Sequence, residues 1–347
     1  MSKLIETIKK LSDIPGVSGG EEAVRQEIIA RIKDRCDRLE TDALGNLIAF
    51  KKGAKTPENR ILLSAHMDEV GLIITHVEED GLLRFSPVGG IDPRVALGRG
   101  VEIGPQRLPG VVGGKAVHHL SGEERDASPD WEKLTIDIGA KDGQEAGGRV
   151  KPGDRAVFAA SCLEFGQDLM LGRAFDDRAG CALLIELLED PLPFDCHFAF
   201  TTGEEVGCVG SKAAAYAVAP DIGIVVETTT AADTGDTPPD KQVCKLGGGP
   251  VVTYMDKGCI YDRGLYDLAF AVAGRNNLRC QTKSAVAGGN DARSIQTAGV
   301  GARVMAVSLP CRYLHSPSLV LSKGDVEETL ALLRALIGEV GGLKKSV

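Results

Sequence analysis

The spacing of apolar residues predicts helices and strands that alternate at both ends of the chain. The N-terminal residues MSKLIETIKKLSDIPG repeat apolar positions at helical spacing. Residues Ser18 to Leu39 form a second amphipathic segment that opens on Ser, Gly and glutamates, as a capped helix does. Strand-like runs follow, NLIAF and RILLSAH. Beyond Gly172, apolar strands and longer helical stretches alternate again, beginning with CALLIELLED and ending with DVEETLALLRALIGEV.

The middle of the chain has a different pattern. Between Gly71 and about Cys162, short runs rich in Val and Ile are separated by Gly and Pro, which is typical of a small β-barrel or sandwich. Strands that alternate with helices, as in the flanking parts, favour a mostly parallel sheet covered on both faces. We therefore predict an α/β fold in which residues 1–69 and 164–347 form a catalytic α/β/α sandwich with a mostly parallel central sheet. Residues 70–163 then form an inserted small β-barrel domain.

Composition and charge narrow the class of protein. Of the 347 residues, 43% are hydrophobic and 26% are charged, and no run reaches the roughly 18 consecutive apolar residues of a membrane span. The formal charge of −9 and the lack of a Lys and Arg cluster argue against a nucleic-acid surface. The N-terminus lacks a signal-peptide pattern, and nine scattered cysteines without a CxxC pair suit reduced thiols. We predict a cytoplasmic protein with no nucleic-acid or membrane partner.

Acidic residues and histidines stand at the ends of five of the apolar runs. In a parallel sheet, ligands and metals gather beyond the carboxyl ends of the strands, so these residues are expected to meet. Two imidazoles with several carboxylates are typical of a site for divalent metals, zinc foremost and cobalt or manganese as substitutes. The candidates are His66, which ends RILLSAH, with Asp68 just beyond it, Glu204 and Glu205 after HFAFTT, Glu227 at the end of IGIVVE, and His315 after MAVSL; the fifth place is the turn that opens the helix CALLIELL, with Asp176 and Asp177.

These residues suit a hydrolytic pair of metal ions. Such ions lie roughly 3.5 to 4 Å apart and need one carboxylate with an oxygen for each, which Asp176 can supply. Of two adjacent glutamates such as Glu204 and Glu205, one can bind a metal. The other can accept a proton from water and pass it to the leaving amine. Asp68 can hydrogen-bond the imidazole of His66 and fix which nitrogen faces the metal.

Longer strings of residues add a family resemblance that covers nearly the whole chain. The strings are PGVSGGEE, AHMDEVG, IDIGA, GRAFDDR, TTGEEVGCVGS, TTTAADTGD, LGGGP, GGNDA and RYLHSP. Together they resemble the M42 family of metallo-aminopeptidases, the glutamyl and tetrahedral aminopeptidase group. The sequence departs from the family pattern in two places, since Glu227 stands where Asp is usual and Asn290 where Thr is usual.

The resemblance implies an activity, a set of ligands and an assembly. The activity is the removal of N-terminal residues from peptides. His66, Asp176 and Glu227 would hold one metal, and Asp176, Glu205 and His315 the other. Glu204 would be the general base. The family also implies an inserted barrel that takes part in assembly, and homo-oligomers as large as a tetrahedral dodecamer.

Three other functions are compatible with parts of this pattern. A related two-metal amidohydrolase, such as a carboxypeptidase or an N-acyl amino acid deacylase, could use the same ligands on a different amide. A non-catalytic assembly protein could keep the fold, although every expected ligand position still carries His, Asp or Glu. A glycosidase would leave the histidines unexplained.

Overall fold

The computed structural model describes residues 2–235 and 237–345. The end residues of the predicted domain limits, 1 and 347, and the last residue of the TTTAADTGD string lie outside the described residues. The α-helices described are α1 (Lys3–Ser12), α2 (Glu22–Ile32), α3 (Pro93–Ala96), α4 (Gly122–Asp126), α5 (Gly143–Gly147), α6 (Phe175–Glu189), α7 (Val209–Val218), α8 (Arg263–Arg275), α9 (Ala292–Thr297) and α10 (Lys323–Gly341).

The strands described fall into a large sheet, a closed barrel and a small sheet. In chain order they are β1 (Arg38–Thr41), β2 (Leu47–Lys51), β3 (Ile61–His66), β4 (Gly71–Val77), β5 (Leu83–Val88), β6 (Gly100–Ile103), β7 (Leu108–Gly113), β8 (Thr135–Asp137), β9 (Arg155–Phe158), β10 (Leu163–Phe165), β11 (Leu169–Gly172), β12 (Cys196–Thr201), β13 (Ile222–Thr230), β14 (Val251–Val252), β15 (Gln281–Thr282), β16 (Arg303–Cys311) and β17 (Leu319–Ser322).

The large sheet is mixed, with the order β1-β2-β12-β3-β13-β16-β14-β15. Its four central strands, β12, β3, β13 and β16, are parallel to one another. Antiparallel pairs occur on either side, β1 with β2, β2 with β12, and β14 with β16. The parallel centre brings the carboxyl ends of four strands to one edge, where the candidate residues lie.

Each face of the large sheet has its own apolar core. Because neighbouring side chains of a strand point to opposite faces, Leu63 belongs to a cluster that includes residues of α1, α2, α6, α8 and α10. Leu62 belongs to a second cluster, which includes residues of α7 and α9. Burial on both faces explains why β3 and β13 read as continuous apolar runs in the sequence. The predicted α/β fold class is therefore confirmed, whereas the α/β/α sandwich with a mostly parallel sheet stays a prediction.

The barrel closes through the neighbours β4-β5-β8-β7-β6-β9, and all of these pairs are antiparallel. Its interior is filled by alternating apolar residues such as Leu72, Ile74 and Ile136. Closure leaves no unpaired strand edge in the barrel, which explains how short strands can form a stable unit. The small β-barrel expected in the Val- and Ile-rich segment is confirmed, and the domain limits of 70 and 163 stay a prediction.

The helix predicted over Ser18 to Leu39 is too long at both ends. Helix α2 covers Glu22–Ile32, and the chain re-enters the sheet at Arg38 as strand β1, paired with β2. The apolar periodicity stops after Ile32, and strand pairing overrides the helix propensity of the polar residues that follow. Ser18 is not a cap, because its hydroxyl donates to a carboxylate oxygen of Asp68 over 2.7 Å.

A buried guanidinium fixes the N-terminal segment behind the candidate site. Arg178 of α6 is fully buried and donates to the carbonyl oxygens of Leu11 (2.7 Å), Ile14 (2.9 Å) and Met67 (2.6 Å). Glu69 forms an ion pair with Arg173 nearby. These contacts hold the loop after β3, which carries Asp68, against both α1 and α6.

No helix in the described part of the chain combines the length and apolar character needed to cross a bilayer.

Candidate metal centre

The candidate residues come from distant parts of the sequence and meet at the carboxyl edge of the large sheet. His66 is the last residue of β3, and Glu227 lies within β13. Asp176 is in the first turn of α6, where the backbone is not helical. Glu204 and Glu205 lie in the turn between β12 and α7, and His315 follows β16 with a left-handed φ of 58°.

The first group contains His66, Asp176 and Glu227. The Nε2 atom of His66 lies 3.4 Å from Oδ1 of Asp176 and 3.4 Å from Oε1 of Glu227. On the other side of the ring, Nδ1 lies 3.1 Å from the backbone oxygen of Asp68. Since a carbonyl oxygen can only accept, that contact places a proton on Nδ1 and leaves Nε2 as the ring nitrogen that faces the two carboxylates.

The second group contains His315, Glu205 and again Asp176. The Nε2 atom of His315 lies 3.4 Å from Oδ2 of Asp176 and 3.3 Å from Oε1 of Glu205. Its Nδ1 donates to the backbone oxygen of Gly90 over 2.8 Å. Gly90 follows β5, so a residue of the barrel segment orients one imidazole of the candidate centre.

Both groups have the dimensions of a metal site. Two ligand atoms that each lie about 2.1 Å from one tetrahedral ion are about 3.4 Å apart, which is the separation found in both groups. Oδ1 of Asp176 is buried and has no hydrogen-bond donor among the described residues, although Asp176 also faces the second group through Oδ2. A buried carboxylate oxygen without a donor is costly unless a cation compensates it. The residues therefore fit a pair of divalent ions.

The crowding of acidic groups shifts several pKa values. Burial raises the pKa of Glu227 to about 8, with Asp176 adding to the shift and His66 opposing it. Burial also raises the pKa of Glu204 well above its usual range, an effect that His66 opposes and Glu227 reinforces. Although burial alone would lower it, the pKa of His66 is raised because the carboxylates around the ring favour its cationic form. The carboxylates of the centre therefore stabilise positive charge placed between them.

Asp68 has a wider structural role than the sequence suggested. Its fully buried carboxylate accepts the backbone N–H of Glu204 and that of Glu205, both over 3.1 Å. The carboxylate is 3.5 Å from Nδ1 of His66, and the nearer contact of the ring is to the backbone oxygen of Asp68. Asp68 therefore holds the turn that carries both glutamates, in addition to lying beside the imidazole.

Two further acidic residues support the centre, and sequence reasoning gave them no definite role. Asp177 accepts the backbone N–H of His66 over 3.3 Å and that of Gly180 over 2.9 Å. Asp291 accepts the hydroxyl of Thr201 over 2.6 Å and is close enough to Glu204 to raise its pKa. The adjacent aspartates of GRAFDDR and the GGNDA string were the sequence signals for Asp177 and Asp291. Neither string indicates which groups these carboxylates contact.

A cavity of about 690 Å³ opens over the two groups. Its lining includes Gly90 and Asp92 from the barrel segment. It also includes Lys283 and Asn290, from the segment between β15 and α9. This volume lies in the range of small-molecule and peptide-end sites.

Imidazoles and carboxylates gathered around one shared aspartate, beside a cavity of this size, are typical of a metal-assisted hydrolase. The chain belongs to the M42 glutamyl aminopeptidase family, whose model matches residues 45–332. The predicted family is thereby confirmed.

Individual relatives are aminopeptidases or peptidases by name, and their similarity to this chain extends over almost their full length. A putative aminopeptidase of Acetivibrio thermocellus is 37% identical over 332 residues, which cover 95% of this chain and 97% of that protein. A lysyl aminopeptidase of Pyrococcus furiosus is 31% identical over 346 residues, covering 96% and 97%. The solved TET1 peptidase of Pyrococcus horikoshii has a TM-score of 0.86 and 38% identity, covering 97% and 100%. The predicted enzyme class, a hydrolase acting on peptide bonds, is confirmed.

Proposed function

We propose that this chain is a metal-dependent aminopeptidase that hydrolyses N-terminal residues from peptides at a centre of two divalent ions. The observation that carries the proposal is Asp176, whose two carboxylate oxygens each lie 3.4 Å from a different imidazole. His66 and Glu227 complete one ligand set, and Glu205 and His315 complete the other. Zinc suits these nitrogen and oxygen ligands best, with cobalt or manganese as substitutes. When bound, such ions polarise a scissile carbonyl and make water more acidic.

Glu204 is the general base of this proposal. It belongs to neither of the two ligand sets that share Asp176, yet it has an atom within 4.8 Å of ligand atoms of His66 and Glu205. Asp68 fixes its backbone, and the thiol of Cys208 lies 3.5 Å from its Oε1. A carboxylate with a raised pKa can accept a proton from the attacking water and deliver it to the departing amine.

Blocking the substrate amine should abolish the reaction. Protein treated with chelator and refilled with zinc, cobalt or manganese is expected to release residues one at a time from the N-terminus of short peptides. N-acetylated versions of the same peptides should remain intact, and chelated protein should be inactive. Mass spectrometry of the products measures all three. Removal of residues from the C-terminus would instead support a carboxypeptidase, and release of the acetyl group a deacylase.

The proposal extends to assembly and location. The TET1 peptidase of Pyrococcus horikoshii assembles into a tetrahedron or an octahedral shell, and its likeness to this chain supports a homo-oligomer here. We propose that the barrel domain, residues 70–163, takes part in that assembly and that a tetrahedral dodecamer is one form of it. We also propose a cytoplasmic location, because the nine free cysteines are typical of a reducing compartment.

A further inference from the structure

The lining of the cavity includes a buried cation without a partner. Lys283 directly follows β15, and its backbone N–H donates to the carbonyl oxygen of Val252 over 3.1 Å. The residue is only 8% exposed and lines the cavity. Within the described ranges, its ammonium group has no ion-pair or hydrogen-bond partner. Because an unpaired buried charge is costly, such a group is expected where an anion binds.

Asn290 places a second donor in the same cavity. This residue is 6% exposed, and its Oδ1 accepts the backbone N–H of Ala292 over 2.9 Å, which fixes the orientation of the amide. The Nδ2 atom then has no acceptor in the part of the chain that the structure describes. An ammonium group and an amide nitrogen can only donate, so a ligand that satisfies both must supply oxygen acceptors. A carboxylate, with its two oxygens, is such a ligand.

Acidic groups outside the candidate metal centre are already engaged. Asp256, whose charge acts on Lys283, accepts a tyrosine hydroxyl over 2.5 Å and two backbone N–H groups over 2.7 Å each. Asp92 pairs with an arginine two residues further on. Lys257 and Arg293 also line the cavity, and neither has an ion pair with a described residue. Beyond the metal centre and its general base, the unpaired charges that line the cavity are therefore positive.

A short peptide brings a carboxylate close to the bond that is cleaved. In a dipeptide the C-terminal carboxylate belongs to the residue directly after the scissile carbonyl. Consecutive Cα atoms are about 3.8 Å apart, so this carboxylate stays within roughly 5 Å of the scissile carbonyl carbon. Lys283 is similarly near the metal centre, since its charge interacts with that of Glu227. A cavity of about 690 Å³ can enclose a ligand of this size.

We propose that Lys283 and Asn290 bind the C-terminal carboxylate of a dipeptide, so that dipeptides are cleaved in preference to their C-terminal amides and to longer peptides. This inference rests on the proposed aminopeptidase function, which places the scissile carbonyl at the metal centre. In a tripeptide, a neutral peptide group takes the place of that carboxylate and leaves the charge of Lys283 unpaired. The preference therefore concerns the length of the peptide and not its first side chain.

The test uses substrates that differ at the C-terminus alone. Zinc-loaded protein hydrolyses Ala-Ala, its C-terminal amide and Ala-Ala-Ala, and kcat/KM is measured for each. The wild type should favour Ala-Ala over the other two. Lys283→Met should lower the ratio of Ala-Ala to its amide by roughly 10- to 100-fold, as expected for a lost hydrogen bond to a charged group.

Two further variants serve as controls. Lys283→Arg keeps the positive charge and should keep a preference for Ala-Ala over its amide. Lys257→Met removes an exposed lysine of the same cavity and should change the ratio far less.

Four results would overturn the inference. Equal kcat/KM values for Ala-Ala and its amide in the wild type would show that the carboxylate does not meet Lys283. An equal loss on both substrates in Lys283→Met would make this lysine a counter-charge for Glu227 instead. A wild type that prefers Ala-Ala-Ala to Ala-Ala would contradict the preference for length. In these three cases, cleavage of the amide would leave the aminopeptidase proposal standing. No cleavage of any of the three substrates with any metal would overturn that proposal, and this inference with it.

Discussion

Replacing Glu204 with Gln should lower kcat by roughly 10² to 10⁴-fold, the usual contribution of a positioned proton-transfer group. The amide keeps the shape of the side chain but cannot accept a proton from water. Glu204 lies outside both ligand sets that share Asp176, so the variant should retain its metal ions. Kinetics on a free-amine peptide, together with elemental analysis of the purified protein, measure both expectations.

A matched control and two contrary results sharpen this prediction. Asp92→Asn makes the same chemical change at an exposed carboxylate of the same cavity and should leave kcat little altered. Normal activity in Glu204→Gln would remove Glu204 from the mechanism. Loss of an ion from that variant would show that Glu204 is a ligand, as its proximity to His66 and Glu205 allows.

Replacing Asp176 with Ala should remove both ions together and reduce activity to that of the chelated enzyme. The reason is that Oδ1 faces the group of His66 while Oδ2 faces the group of His315. Alanine supplies no ligand atom to either group, so neither set stays complete. Metal content by mass spectrometry and activity on a free-amine peptide are the measurements.

Variants of the unshared ligands provide the comparison. His315→Ala should weaken one ion more than the other, because its Nε2 contacts only the second group. The bridge would be wrong if Asp176→Ala kept one ion at full occupancy. It would also be wrong if His315→Ala and Asp176→Ala lost metal in the same way.

The sequence predicted the position of the candidate centre because one simple rule governs it. The carboxyl ends of parallel strands share an edge, so the residues that end β3 and β13 had to lie near each other. His66 and Glu227 were placed in this way without coordinates. The longer arm of Glu227, where Asp is usual, brings its Oε1 to 3.4 Å from Nε2 of His66.

Other features depended on contacts that the sequence pattern does not contain. Gly90 orients His315 from across the chain, through a backbone oxygen that any residue would carry. Lys283 follows a strand of two residues, too short to produce a period of alternating apolar positions. The end of α2 was predicted wrongly because the strand that follows it, β1, lies at the edge of the sheet. This strand has only one partially buried residue, so its sequence shows little apolar alternation.

Reloading the chelated protein with measured amounts of zinc, cobalt or manganese tests the central claim most directly. Release of the N-terminal residue from a free-amine peptide is followed as metal is added, beside the N-acetylated peptide as a control. The two ligand sets that share Asp176 predict activity that reaches its plateau at two ions per chain, on the free-amine peptide alone. Full activity with one ion, or undiminished activity in the chelated protein, would contradict a centre of two metals.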